Sequence, residues 1–270
     1  MSNFDQGQNT IKKLDNIIDS LGPQLVSAMQ SVFGTTQALL MIEKAYKDYP
    51  MLARVAASKS DKELFALYQI AAQNIAKINE SNFNPAGLTE LSQKLYDASY
   101  GFIEQNQQLN RIRGQWARAS VAERKHFCNA VLDNLSRTFN VPRPNVYFQT
   151  SQILPVRGFM YDDTMFLSID GSAGAPGLIV HEFTHHLQNH GKTPMGRDAF
   201  KQPRENYVLS AFLPATKRDR FKDFVMNNIY TKSLTEREAI FTGDWVKKHF
   251  KEKHNMLSPA MMMQQNQTSL

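Results

Sequence analysis

Eleven consecutive residues restrict this chain more than any other feature: Leu178-Ile179-Val180-His181-Glu182-Phe183-Thr184-His185-His186-Leu187-Gln188. The surrounding pattern predicts a helix from Pro176 to about His190, with Gly191 just past its last turn. On a helix, positions i and i+4 share a face, so His181 and His185 can direct ring nitrogens at one zinc ion. Glu182 projects beside such an ion, where it can take a proton from a zinc-bound water. An incidental pair of histidines on a buried helix fits the same string. The β-like runs before this helix and its apolar approach through Leu178, Ile179 and Val180 favour the metal site.

Catalytic zinc takes three protein ligands and leaves one position open, so the two histidines require a third group. The extended form H-E-x-x-H-x-x-G-x-x-H fails here. Gln188 stands where its glycine would be and Gly191 where its third histidine would be. His190 is one residue out of register, and His186 falls on another face of the helix. A later segment, Tyr230-Thr231-Lys232-Ser233-Leu234-Thr235-Glu236-Arg237-Glu238-Ala239, offers two glutamates. Ser233 with Glu236, and Thr235 with Glu238, both have the capping-box spacing, so either carboxylate can also be read as a helix cap.

Around these segments the chain reads as α+β. Helical periodicity is expected at Thr10–Leu21, from Pro23 to Tyr49, from the Ser60/Glu63 capping box onward, and from Asn84-Pro85 through Leu88, Leu91, Leu95, Phe102 and Leu109. A second capping box, Ser120 with Glu123, opens a helix through Phe127, Val131, Leu132, Leu135 and Phe139, broken by Pro142 and Pro144. Short strands follow at Asn145–Gln149, Arg157–Tyr161 and Thr164–Ile169, the last two joined by an Asp162-Asp163 turn. Helices are expected at about Lys217–Ile229 and Leu234–His254, and Met256–Leu270 reads as a mobile end. The resulting partition is a helical domain over 1–118, a second domain over 119–258 and a flexible tail over 259–270.

Composition excludes several classes. Apolar residues are 42% and charged residues 21%, which excludes a disordered or fibrous chain. The single cysteine, Cys128, excludes an intramolecular disulfide framework and a Cys-rich zinc finger. It lies on an amphipathic helix and reads as a small core residue. No apolar run reaches the roughly 18–20 residues that cross a bilayer, and the polar start Met1–Gln8 does not resemble a secretory signal. These features predict a cytoplasmic protein, or one exported by a specialised route or carried in a virion. The net charge of +6 is scattered among acids and helix ends, and no nucleic-acid motif accompanies it.

The order of helix, hairpin, H-E-x-x-H helix and glutamate helix over about residues 120–255 resembles the gluzincins, zinc metallopeptidases whose third ligand comes from a downstream helix. The H-E-x-x-H-x-x-Q order at His181–Gln188 and the E-x-E-A order at Glu236–Ala239 are similar to those of small, compact gluzincin-like domains. The resemblance implies a zincin-like domain with a small sheet, a zinc cofactor held by His181, His185 and Glu236, Glu182 as general base, and a protein or peptide substrate. Glu238 is the alternative ligand; read as a cap, its loss costs stability alone. Tyr230 is the first choice as oxyanion donor, with Tyr207, Tyr161 and His186 as alternatives. Thr164–Ile169 would suit an edge strand that pairs with an extended substrate. One departure stands out: many gluzincins carry an aspartate four residues after the glutamate ligand, and this chain has Ile240 there, with Asp244 further along reading as a surface residue. A stand-alone peptidase with a helical appendage fits an effector, a toxin or a virion-associated protease. The opposing class is a non-catalytic structural or regulatory protein whose core folds around metal.

Overall fold

A computed structural model of the chain describes residues 60–149, 158–161, 163–169, 176–195 and 223–265, together with residue 221 and isolated positions between 30 and 58. The helices expected at Thr10–Leu21 and from Pro23 to Tyr49 lie outside the described residues, except that Gln30, Leu40, Lys44 and Lys47 are helical. Tyr207 also lies outside them. The described residues are mainly helical with one small sheet, an α+β architecture. Among them, no helix is long and apolar enough to cross a membrane.

Two compact units divide the chain: 1–83 with 199–237, and 84–198 with 238–270. In the first, α1 spans Asp61–Asn82, and its N-cap Ser60 accepts from the Glu63 N–H at 3.2 Å. It buries Leu64, Leu67, Tyr68, Ala71 and Ile75, an i, i+3/i+4 stripe. Phe65 stacks on Phe221 and meets Phe224 edge-on. A π-helical turn, Met226–Tyr230, follows in the same unit.

The boundary expected at residue 118 falls inside the second unit. The elements on its two sides pack together there, with Asn134 donating to the Ala98 carbonyl and Arg124 lying over Trp116. α2 (Pro85–Tyr96) starts on Asn84, whose side chain accepts from the Gly87 N–H. The single helix expected onward to Leu109 is interrupted by a π-turn at Asp97–Gly101. The short α3 (Phe102–Gln105) then stops at Asn106, whose side chain accepts from the Leu109 N–H and opens α4 (Gln107–Gly114). A residue that can cap offers the backbone an alternative to continuing a helix, and here it prevails over the apolar periodicity.

α5 (Val121–Phe139) begins on a complete capping box: Ser120 accepts from the Glu123 N–H, and the Glu123 carboxylate accepts from the Ser120 N–H at 2.9 Å. These hydrogen bonds hold the Glu123 carboxyl below its ordinary value. We expect Ser120→Ala to destabilise this unit by about 1 kcal/mol, read as a lower midpoint in urea unfolding with unchanged slope. Cys128 is buried on this helix, and burial pushes its thiol up to about 12, which fits a core residue rather than a nucleophile. Asn140 closes the helix in the left-handed conformation, at φ 51°.

Three strands form one sheet: β1 (Asn145–Gln149), β2 (Gly158–Tyr161) and β3 (Thr164–Ser168), in the order β1-β3-β2. The hairpin forms as expected, with Tyr161 opposite Thr164. The expectation that Thr164–Ile169 lies at an edge is corrected. β3 pairs in parallel with β1 on one side and antiparallel with β2 on the other, so both sides of its ladder are engaged. Met165 to Ile169 are all buried, as suits a central strand. Within this sheet the edges are β1 and β2.

α6 (Pro176–Asn189) follows and ends on Gly191, at φ 64°. The Gly191 N–H donates to the Gln188 carbonyl and the Lys192 N–H to the Leu187 carbonyl, the closing pattern that a left-handed glycine permits. The last helix, α7 (Leu234–Gln265), is longer than expected and runs into the stretch read as a tail.

Candidate metal centre

α6 and α7 carry the site. Residues of the second unit seat α7 on α6: the Thr184 and Thr242 hydroxyls lie 2.9 Å apart, and Gln188 donates to Glu238 at 3.1 Å. A Cβ built on Gly243 would lie 3.5 Å from the Gly177 carbonyl oxygen and 3.6 Å from His181 Cβ. Ala239 and Val246 are fully buried. Small residues at 239 and 243 therefore let the helices approach closely.

Residues advance about 100° around a helix, so Ala239, Thr242, Gly243 and Val246 form the α7 seam. Glu236 stands on one shoulder of that seam and Glu238 on the other. On α6, Gly177, His181, Thr184, His185 and Gln188 share the facing side.

His181 and His185 lie one turn apart on the same face of α6. The histidine rings stand edge to face with centroids 5.1 Å apart. His185 is 7% exposed, and Glu236, in the first unit, is 1% exposed. The alternative glutamate is engaged elsewhere. Glu238 accepts from the Gln188 side chain at 3.1 Å and from the Met195 N–H at 3.2 Å. Its burial pushes its carboxyl above the ordinary value, against those hydrogen bonds.

Capping does not need either carboxylate. Ser233 precedes α7, and its hydroxyl faces the Glu236 N–H at 3.4 Å, while its own N–H donates to the Ile229 and Tyr230 carbonyls. The reciprocal half of a capping box is thus already occupied by backbone.

Gln188 is the residue whose role the sequence did not disclose. Its Oε1 lies 2.9 Å from His185 Nδ1, and its amide nitrogen donates to Glu238. The oxygen accepts, so Nδ1 carries the ring hydrogen and Nε2 carries the lone pair. The relay Glu238–Gln188–His185 fixes this tautomer. The i, i+3 spacing of His185 and Gln188 was the available signal. Two imidazoles and one buried carboxylate form a donor set that suits zinc. Asp244 is an exposed surface residue facing Lys247 at 3.6 Å, as expected.

Glu182 is 3% exposed, on the α6 flank next to His181. β2 passes directly over it: a Cβ on Gly158 would lie 3.0 Å from Glu182 Oε1. Tyr230 ends the π-turn, with its carbonyl accepting from Ser233; Tyr161 lies at the end of β2. His186 is removed from the oxyanion candidates. Its Nε2 donates to the Pro142 carbonyl at 2.7 Å, on the helix face turned away from His181 and His185. Burial holds that ring below the ordinary histidine value.

No family model matches this sequence, and neither does any curated protein or solved structure, so the functional reading stands on the site's own chemistry.

Proposed function

We propose that the chain is a zinc-dependent peptidase of gluzincin-like type, with His181, His185 and Glu236 as ligands and Glu182 as general base. The observation that carries this reading is the pair of imidazoles one turn apart on α6, with a buried carboxylate, Glu182, on the same helix under an edge strand. Zinc, when bound, would supply Lewis-acid chemistry and lower the pKa of a water towards ~7. Glu182 accepts the proton of the attacking water and delivers it to the departing amine, which balances the hydrolysis of one amide. Tyr230 is the assigned oxyanion donor. β2, the edge strand that passes over Glu182, is assigned to pair with an extended peptide in place of the central β3.

The test is hydrolysis of a mixed peptide library by the whole chain. Cleavage should be abolished by 1,10-phenanthroline and restored by added zinc. An uncleaved library, with zinc bound, would favour the structural, non-catalytic class.

The Gly158 contact gives a narrower check. Gly158→Ala forces Glu182 or β2 to shift by a few tenths of an ångström. We expect the peptidase rate to fall by about 10-fold or more, with ion content unchanged, since small misplacements of a catalytic group are costly. Parallel rate and metal measurements on the variant decide it.

A further inference from the structure

α6 carries a second histidine pair. His186 and His190 are also spaced i, i+4, about 140° around the helix from His181 and His185. They meet Asp163, from the turn between β2 and β3. The candidate ligand atoms of Asp163, His186 and His190 all lie within 4.8 Å of one another. His190 Nε2 is 3.0 Å and His186 Nδ1 3.6 Å from the same oxygen, Asp163 Oδ1. A tetrahedral ion with ligands at 2.0–2.1 Å sets ligand–ligand edges of about 3.3 Å, between those two distances.

The His190–Asp163 contact alone is an ordinary surface hydrogen bond. His186 is what that reading leaves unexplained. Its side chain is fully buried, and its Nδ1 has no hydrogen-bond partner among the described residues. Because the Pro142 carbonyl can only accept, His186 Nε2 carries a hydrogen. In the neutral ring, Nδ1 then presents a buried lone pair towards a carboxylate, an arrangement that a cation between them stabilises. The carbonyl on the far nitrogen is the usual partner that orients a metal-binding imidazole.

We propose that Asp163, His186 and His190 form a second divalent-metal site, distinct from the His181–His185–Glu236 group and selective for zinc-class ions over magnesium or calcium. Two imidazoles disfavour the hard cations, which take oxygen ligands. The ion ties the β2–β3 turn to the back of α6. It holds in register the strand whose Gly158 covers Glu182.

The test counts zinc on metal-stripped whole chain after dialysis against the free ion. Wild type is expected to hold two equivalents; Asp163→Asn, His190→Gln and His181→Ala one each; and His181→Ala/His190→Gln none. Zinc should still raise the melting temperature of His181→Ala and should not raise that of the double variant. Asp163 is exposed, so its substitution leaves the core intact. If Asp163→Asn and His190→Gln bind as much zinc as wild type, the second site is overturned. A wild-type count of one that is lost only in His181→Ala overturns it too, while leaving the peptidase reading in place.

Discussion

Glu182→Gln is expected to keep its zinc and its fold while losing hydrolysis by about 10²–10⁴-fold, the range general-base catalysis supplies. The amide matches the carboxylate in size, so the close contact with Gly158 is retained, but it cannot accept the proton. Near wild-type turnover in this variant would remove Glu182 from the role of base. Comparing the new N-termini that wild type and Glu182→Gln generate in a protein extract would also reveal the cleaved bonds. On the opposing reading, in which metal only stabilises the core, the two proteins generate the same termini.

The second large effect separates the two glutamates of α7. Glu236→Ala should lose the ion held by His181 and His185, and activity with it, because a direct ligand is removed. Glu238→Ala should act through its neighbours. Its carboxylate holds Gln188, which orients His185, so zinc affinity should fall by about 10–100-fold. The Gln188 amide and the Met195 N–H are left buried without an acceptor, at about 1–3 kcal/mol of stability. The relay therefore adds a loss of affinity to the stability loss expected of a cap. Zinc titration and thermal melts of both variants decide it. Ion loss confined to Glu238→Ala would move the ligand two residues, about 200° around α7.

Much of this architecture was legible because its signals are local. The capping box at Ser120 and Glu123, the strand–turn–strand at Gly158–Ser168, and the α6 helix closed by Gly191 are each specified within a few residues. The shared face of His181 and His185 follows from helical pitch alone. Even the local reading failed where two local signals competed, as at Asn106, where a cap prevailed over the apolar stripe.

Local signals thus specify the set of elements and the chemistry each one presents. Pairing was decided only by tertiary structure. β3 lies at the centre of the sheet because β1 returns alongside it in parallel, a partnership across a long connection that alternation along one strand does not encode. Glu236 and Glu238 have near-equivalent surroundings in sequence. Tertiary structure distinguishes Glu238, whose carboxylate it ties to an amide and a backbone N–H. Asp163, in sequence only a turn residue, meets His186 and His190 because the hairpin lies against α6. Periodicity fixes the direction of a side chain relative to its own helix or strand, whereas its partner depends on how those elements pack, a non-local choice made by burial and close approach.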